Sequence, residues 1–185
     1  MTEPFGAIDP GSTMSALAEF HDGQPPKVIY RENDALLGWF RALQTDFTTI
    51  VIEEITSYGM AVGRDVFMTV RWAARFEEAF DSNGGGVYYL PRREVKLELC
   101  GDSRAKDANV RQAVIDRFGG MEKAVTGRRC EHCKGKGWVG RGRPPCEPCG
   151  AKGWLIPRGP LHGVSGDMWS ALAVGLTWQE RQEAR

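Results

Sequence analysis

Apolar positions recur along the chain in two rhythms, and the rhythm of each segment predicts its secondary structure. Residues 33–43 place Leu36, Leu37 and Phe40 at helical spacing, so a helix with one apolar face is expected there. Residues 48–52 instead form a β-branched apolar run, which suits a strand buried on both faces. By these criteria helices are predicted over residues 33–43, 64–80, 107–118 and 167–181, and strands over residues 5–8, 14–20, 48–52, 87–90 and 95–99.

Strands that alternate with helices in this way predict an α/β fold, in which helices flank a central sheet. The length of 185 residues, with 42% hydrophobic and 26% charged residues, suits one globular domain with room for a small addition. No segment reaches the roughly 18 consecutive apolar residues of a membrane span, and the N-terminus lacks the pattern of a signal peptide. We therefore expect a cytoplasmic protein with no membrane partner.

Charge is distributed unevenly, although the whole chain is neutral with 24 basic and 24 acidic residues. Residues 127–160 hold eight basic residues against Glu131 and Glu147, a net charge of +6. The basic residues are Arg128, Arg129, Lys134, Lys136, Arg141, Arg143, Lys152 and Arg158. Four of the five cysteines fall in the same segment, and only Cys100 lies outside it. This segment is therefore a candidate site for both a metal ion and a polyanion.

The four cysteines form two short motifs. Cys130-x-x-Cys133 and Cys146-x-x-Cys149 are separated by twelve residues, and each is followed by glycines that permit tight turns. In a reducing compartment this spacing favours a metal site over disulfides, and four thiolates can close a tetrahedron around a structural Zn²⁺. The repeated pattern, similar to Cys-x-x-Cys-x-Gly-x-Gly, resembles half of the zinc-binding region of DnaJ-type chaperones.

The predicted zinc ribbon suits two kinds of ligand. Its positive charge, with Trp138 and Trp154 interleaved, fits a phosphate backbone with stacking on bases, whereas the chaperone resemblance implies polypeptide binding. The candidate DNA-binding residues of the ribbon are Arg128, Arg129, Lys134, Lys136, Arg141, Arg143 and Lys152.

Acidic residues flank three of the predicted elements. Asp9 follows the first strand, Glu53 follows the buried strand, and Asp167 opens the last helix. Carboxylates that converge at strand ends need a cation among them, and oxygen ligands select hard ions such as Mg²⁺. Two such ions can activate water and stabilise the leaving oxygen in phosphodiester cleavage. Asp107 is expected to serve only as the N-cap of its helix.

These segments together resemble the RuvC family of Holliday-junction resolvases. Phe-Gly-Ala-Ile-Asp-Pro-Gly-Ser at residues 5–12 is similar to the opening strand of that family, and Val-Ile-Glu-Glu-Ile at residues 51–55 to its second acidic strand. Residues 90–96, 101–110 and 167–174 are similar to later segments. The resemblance implies an RNase H-like mixed sheet flanked by helices. We accordingly expect a nuclease domain at residues 1–126, a zinc-ribbon insertion at residues 127–156 and a helix at residues 157–185 that completes the nuclease domain.

The resemblance also implies roles for individual residues. Asp9, Glu53 and Asp167 would form a metal-binding cluster for Mg²⁺ or Mn²⁺. Lys96 and Lys106 would lie near the scissile phosphate. The family further implies a homodimer, whose two active sites nick opposite strands of branched DNA.

The chain departs from the family pattern at three places. One is the zinc-ribbon insertion just before the helix that carries Asp167, a location that suits contact with the junction arms or with the dimer partner. Ser170 stands where the family usually offers a second acidic residue on the final helix, so His162, Glu54 or water is expected as the fourth metal ligand. In the short loop after the second acidic strand, Tyr58 is a candidate wedge that probes the junction.

The hypothesis from the sequence is a metal-dependent endonuclease that resolves four-way DNA junctions by paired phosphodiester hydrolysis. One alternative is an RNase H-like nuclease that cuts flaps, forks or other branched DNA with the same carboxylates. Another is an adaptor in which the zinc ribbon binds nucleic acid or protein. The Asp-x-Gly-Ser pattern also suits the phosphate loops of actin-like and sugar-kinase ATPases, but those folds need two lobes and a longer chain.

Overall fold

The computed structural model describes residues 3–42, 45–56, 59 and 61–184. The chain forms two compact units, one of Met1–Val114 with Val164–Arg185 and one of Ile115–Gly163. Tyr58, the candidate wedge, lies outside the described residues. No helix among the described residues has the length and apolar character that crossing a membrane requires.

The first unit is built on a mixed sheet of five strands, which confirms the predicted α/β fold. The strands are β1 (Phe5–Asp9), β2 (Met14–Phe20), β3 (Lys27–Glu32), β4 (Thr49–Glu54) and β5 (Gly86–Pro91). Their order across the sheet is β3-β2-β1-β4-β5. The first three strands pair antiparallel, and β4 and β5 continue the sheet parallel to β1. The C-terminal ends of β1, β4 and β5 therefore meet at one end of the sheet.

Helices pack on both faces of this sheet. The chain forms α1 (Asn33–Arg41), α2 (Arg64–Asp81), α3 (Arg92–Cys100), α4 (Asp107–Arg117) and α5 (Met168–Glu183). Successive side chains of a strand point to opposite faces. Ile50 and Ile52 of β4 join a core with Phe40 of α1 and Phe76 of α2. Val51 points to the other face, which α5 covers through contacts with β1, β2 and β4.

The prediction of a strand over residues 95–99 is wrong, because these residues belong to α3. Val95 and Leu99 are buried one helical turn apart, whereas Leu97 between them is 55% exposed. The apparent alternation of apolar residues is therefore part of a helical repeat. Gly101, in the left-handed conformation with a φ of 71°, then ends the helix.

The edge strand β3 is not predicted by the sequence pattern. Only Val28 and Ile29 are partly buried within it, so no clear alternation of apolar and polar residues marks it as a strand. Its pairing with β2 nevertheless fixes the position of Tyr30, which lies opposite Ala16.

The second unit has little regular structure. It contains a π-helical turn at Glu122–Thr126, a short 3₁₀ turn at Glu147–Cys149 and an antiparallel pair of β6 (Arg128–Arg129) and β7 (Trp154–Ile156). The four clustered cysteines are buried together, with Val139 packed against them. Cysteine side chains thus take the place of a larger apolar core in this part of the unit.

A glycine sets how closely α5 packs on the sheet. A Cβ atom at Gly175 would overlap the ring of Phe20, which stacks on Phe5 with ring centroids 4.8 Å apart. Gly175→Ala is therefore expected to destabilise the fold by about 1–3 kcal/mol, the usual cost of overpacking a core. Gly38→Ala is the matched control, because no atom lies within 4 Å of its Cβ position and alanine favours a helix. Thermal unfolding measures both, and an unchanged Tm for Gly175→Ala would contradict this packing.

Candidate functional site

The three predicted acidic residues meet at the C-terminal end of the parallel strands. Asp9 ends β1, and Glu53 lies next to the end of β4. Because the parallel register pairs Ile8 with Ile52, Asp9 and Glu53 stand side by side on the sheet face that α5 covers. Asp167 immediately precedes α5 and lines the same cavity, which has a volume of about 600 Å³.

Arg92, the first residue of α3, lies among these carboxylates. Its Nη1 donates hydrogen bonds to both carboxylate oxygens of Glu53, at 2.8 and 2.9 Å, and to Oγ of Ser170 at 3.1 Å. Its Nη2 donates to Oδ1 of Asp107 at 2.8 Å. Glu53 is only 7% exposed, and a buried carboxylate without a partner is strongly unfavourable. Arg92 therefore supplies an opposite charge that favours the ionised form of Glu53.

The electrostatic environment disfavours further negative charge. Burial, followed by the charge of Glu53, raises the pKa of Asp9 to about 8, although Arg92 acts in the opposite direction. Burial also raises the pKa of Glu53 against the attraction of Arg92. A carboxyl group whose charged form is this unfavourable is stabilised when a cation approaches it.

Asp107 lies at a different place from the one predicted. It is the first residue of α4 and not its N-cap, since the carbonyl of Lys106 accepts the amide hydrogen bond of Val110. Its carboxylate lines the cavity, with Oδ1 2.8 Å from Nη2 of Arg92 and 3.2 Å from Nζ of Lys96. The hydrogen bond from Arg92 lowers the pKa of Asp107. The expectation that Asp107 serves only as a cap is therefore wrong, and it is a fourth carboxylate of the cavity.

The donor set of the cavity fits a hard divalent cation. Four carboxylates share the cavity with two guanidiniums, those of Arg92 and Arg111, and carboxylate oxygens are the donors that hard divalent cations prefer. Among the described residues, the groups with ligand atoms all within 4.8 Å of one another are the four cysteines and the set Glu19, His21 and Asp46. The carboxylates of the cavity are therefore more widely spaced. An ion held by these carboxylates would therefore keep several of its waters, as Mg²⁺ does.

The two lysines of the sequence prediction differ in their surroundings. Lys96 is largely buried, and its ammonium group pairs with Asp107. Lys106 is exposed, and it forms no ion pair within the part of the chain that the structure describes. Of the two, Lys96 therefore contacts a carboxylate that lines the cavity.

Neither of the two predicted candidates for a fourth ligand is among the residues that line the cavity. Glu54 follows Glu53 in β4, so its side chain points to the opposite face of the sheet. His162 belongs to the second unit, where its Nε2 is 2.8 Å from Nη1 of Arg158. The additional carboxylate that lines the cavity is Asp107.

Sequence reasoning also missed Tyr30 and part of the role of Trp169. The hydroxyl of Tyr30 donates to Oδ2 of Asp167 at 3.3 Å. Trp169 is buried as predicted, but it also lines the cavity, and the guanidinium of Arg111 lies 4.9 Å from its ring centroid. For Arg92, the available signal was a basic residue directly after a strand whose neighbours end in carboxylates.

The four clustered thiols fit a tetrahedral metal ion. They belong to Cys130, Cys133, Cys146 and Cys149. The sulfur atoms of Cys130 and Cys146 are 3.7 Å apart, and so are those of Cys133 and Cys149. A zinc ion with bonds of about 2.3 Å separates its sulfur ligands by about 3.8 Å. The amides of Gly137 and Gly153 each donate to a cysteine sulfur at 3.2 Å, which favours the thiolate form.

Solved structures of RuvC share the fold of this chain. No protein-family model and no curated protein sequence matches it. The Thermus thermophilus RuvC structure covers 98% of this chain and 96% of its own length, with 16% identity and a TM-score of 0.58. T. thermophilus RuvC in complex with Holliday junction substrate covers 99% and 96%, with 15% identity and a TM-score of 0.56. The chain therefore has the RNase H-like fold that the sequence resemblance implies.

Substitutions of Asp9 and Asp107 are expected to change stability in opposite directions. The folded-state pKa of Asp9 is about 8, above its unfolded value of about 4, so its ionisation costs stability as the pH rises between these values. Asp9→Asn should therefore raise Tm by a few degrees at pH 8 in magnesium-free buffer, with a smaller effect towards pH 4.

The matched variant Asp107→Asn removes an ion-pair partner of Arg92 and is expected to lower Tm at pH 8, because the pKa of Asp107 is lowered in the folded state. Calorimetry across this pH range measures both shifts. Shifts of the same sign for Asp9→Asn and Asp107→Asn would contradict the electrostatic difference between the two carboxylates.

Proposed function

We propose that the protein is a divalent-metal-dependent endonuclease that cleaves four-way DNA junctions. The observation that carries the proposal is the convergence of Asp9, Glu53 and Asp167 on one cavity at the C-terminal end of the parallel strands. The fold supports it, because one of the matching structures is a RuvC in complex with a Holliday junction substrate.

Asp9, Glu53 and Asp167 would hold the catalytic Mg²⁺ or Mn²⁺, with Asp107 as the fourth carboxylate in place of an acidic residue at position 170. When bound, such ions, expected as a pair, activate water and stabilise the leaving 3′ oxygen of the phosphodiester. Burial of Asp9 and Glu53 strengthens their attraction for a cation, because the surrounding dielectric is low.

Arg92 acts as a positioning residue in this proposal. Its hydrogen bonds to both oxygens of Glu53 fix the plane of that carboxylate before metal and DNA arrive. Its positive charge also lines the cavity, where it stabilises charge that develops on the scissile phosphate. Lys96 adds to this charge beside Asp107, and Lys106 at the start of α4 contacts a neighbouring phosphate.

The proposal includes a homodimer and a structural zinc ion. Paired nicks on opposite strands need two active sites, and a two-fold dimer provides them. On α2, Phe67 is 60% and Val70 is 46% exposed, and an exposed apolar surface of this kind suits a contact with a second copy. The four clustered cysteines would hold Zn²⁺ in the second unit.

The second candidate function is cleavage of flaps, forks or other branched DNA. The same carboxylates would serve the same chemistry, so only the shape of the preferred substrate differs. The cavity, with a volume of about 600 Å³, suits this candidate as well as the first, because its size alone does not distinguish a junction from other branched DNA. An adaptor function of the zinc ribbon alone would leave the buried carboxylates without a role.

Cleavage of end-labelled four-way junction, flap, fork and plain duplex DNA tests the proposal. With Mg²⁺ we expect paired nicks in the junction and far slower cutting of the duplex. Asp9→Asn should lower the rate by roughly 100-fold or more, as the loss of one charge-stabilising group does, and should still bind the junction. Glu54→Gln is the control, because this carboxylate lies on the other face of the sheet.

Two results would count against the proposal. Cleavage that persists in Asp9→Asn would exclude the cavity as the active site, and equal or faster cleavage of flaps would favour the second candidate function.

A further inference from the structure

The predicted zinc ribbon, residues 127–156, contains an internal repeat. Its two Cys-x-x-Cys motifs lie sixteen positions apart, and Trp138 and Trp154 follow them at the same offset. Both tryptophans come directly after a glycine with a positive φ, of 81° at Gly137 and 78° at Gly153. The repeat therefore places the two indole rings at equivalent positions of one small unit.

Backbone hydrogen bonds dock each half of the repeat on the other. The amide of Cys130 donates to the carbonyl of Gly153 at 3.0 Å, and the amide of Cys146 donates to the carbonyl of Gly137 at 2.9 Å. A Cβ atom at either glycine would overlap a backbone carbonyl of the opposite half. These reciprocal contacts, together with the buried sulfur atoms, hold the two tryptophans in a fixed arrangement.

Each tryptophan carries two cations near its ring. The first tryptophan–cation cluster is Trp138 with Lys136 at 5.2 Å and Arg143 at 4.8 Å from the ring centroid. The second tryptophan–cation cluster is Trp154 with Arg129 at 5.4 Å and Arg158 at 5.5 Å. Cations within about 6 Å of an indole are attracted by its π-electrons. Each ring thereby holds two flexible basic side chains close to itself.

These cations have few negative partners in the ribbon. Within the described residues, Arg129, Lys136 and Arg143 form no ion pair with a carboxylate, and Arg158 bonds to His162. Residues 127–160 carry eight basic residues against two acidic ones. The N–H donors of both clusters are therefore left for an anionic ligand.

The chemistry of the clusters selects phosphate groups on a chain. A guanidinium donates two parallel hydrogen bonds to a phosphate, and concentrated positive charge binds the regularly spaced phosphates of nucleic acid. Base stacking, expected from the sequence, fits less well, because cations already lie by both tryptophan rings. A ligand held through its phosphates is bound without regard to its base sequence.

We propose that the two tryptophan–cation clusters form a second DNA-binding surface, which grips the phosphate backbone of the substrate outside the catalytic cavity. The proposal rests on the proposed function, since it assigns the partner as the DNA that the cavity cleaves. This surface adds to the affinity for DNA and takes no part in the cleavage reaction. The surface is expected to bind junction arms of any sequence.

The charge of the clusters is tested by the double variant Arg129→Gln, Arg143→Gln. Binding of labelled junction and duplex is measured by fluorescence anisotropy over a range of salt concentrations, in an Asp9→Asn background that prevents cleavage. Each phosphate contact contributes about 0.9 to the slope of log K against log salt, so the slope should fall by about 2 and low-salt affinity by about tenfold.

The matched control is Arg71→Gln, Arg75→Gln, which removes the same charge from α2. Arg75 also lies over a tryptophan, 4.0 Å from the ring centroid of Trp72, but it pairs with Asp34. This control is expected to keep the salt slope of the parent protein. An equal loss in both double variants would overturn the proposal, because it would show a general effect of net charge.

A second variant tests the tryptophans, Trp138→Leu with Trp154→Leu. This variant keeps every charge but removes the rings that position the basic side chains. We therefore expect affinity for DNA to fall by a few-fold, equally for single-stranded and duplex DNA. A loss confined to single-stranded DNA would overturn backbone binding in favour of base stacking. One zinc ion per chain, measured by native mass spectrometry, checks that the ribbon is intact in each variant.

Two further outcomes separate this proposal from the proposed function. If the wild type cleaves junctions and the Arg129, Arg143 variant binds them with an unchanged slope, the ribbon proposal fails alone. If the wild type cleaves no branched DNA, the proposed function fails. If the Arg129, Arg143 variant lost binding to unfolded polypeptide and kept its DNA binding unchanged, the ribbon would be a protein-binding module and the proposal would be overturned.

Discussion

Two carboxylates buried side by side at the ends of adjacent parallel strands are the constraint on which the candidate site depends. Glu53 accepts two hydrogen bonds from Arg92, which oppose the effect of its burial. Burial and the charge of Glu53 raise the pKa of Asp9 to about 8. The fold supplies this arrangement, because the parallel register of β1 and β4 aligns the two residues. Helices α3, α4 and α5 then bring Arg92, Asp107 and Asp167 to the same cavity. A metal ion would offset the repulsion among these carboxylates and the cost of burying their charge.

Much of the fold could be predicted from hydrophobic pattern alone. The apolar run at residues 48–52 and the helical spacing at residues 64–80 are strong signals, because the strand is buried along most of its length and the helix along one face. The edge strand β3 and helix α3 were not predicted as such, since both are partly exposed and their patterns are ambiguous. The secondary structure of such segments depends on tertiary packing, about which the neighbouring sequence carries little information.

Asp9, Glu53 and Asp167 were the members of the candidate site that the order of elements made predictable. Carboxylates at strand ends converge for topological reasons, so Asp9 and Glu53 could be paired from the order of elements. Arg92 and Asp107 could not, because their contacts depend on how α3 and α4 pack next to the sheet. The sequence suggested an N-cap for Asp107, which is the commonest duty of such a residue. Its ion pairs place it in the cavity instead.

The most direct measurement of the central claim is the binding of Mn²⁺ to the zinc-loaded protein, followed by electron paramagnetic resonance of the free ion. If the cavity is a divalent cation site, the wild type and Glu54→Gln should bind Mn²⁺ alike, and Asp9→Asn should bind it at least about tenfold more weakly, a difference of about 1.4 kcal/mol. Equal Mn²⁺ affinity in the wild type and Asp9→Asn would contradict the claim that Asp9 and its neighbours hold a catalytic metal.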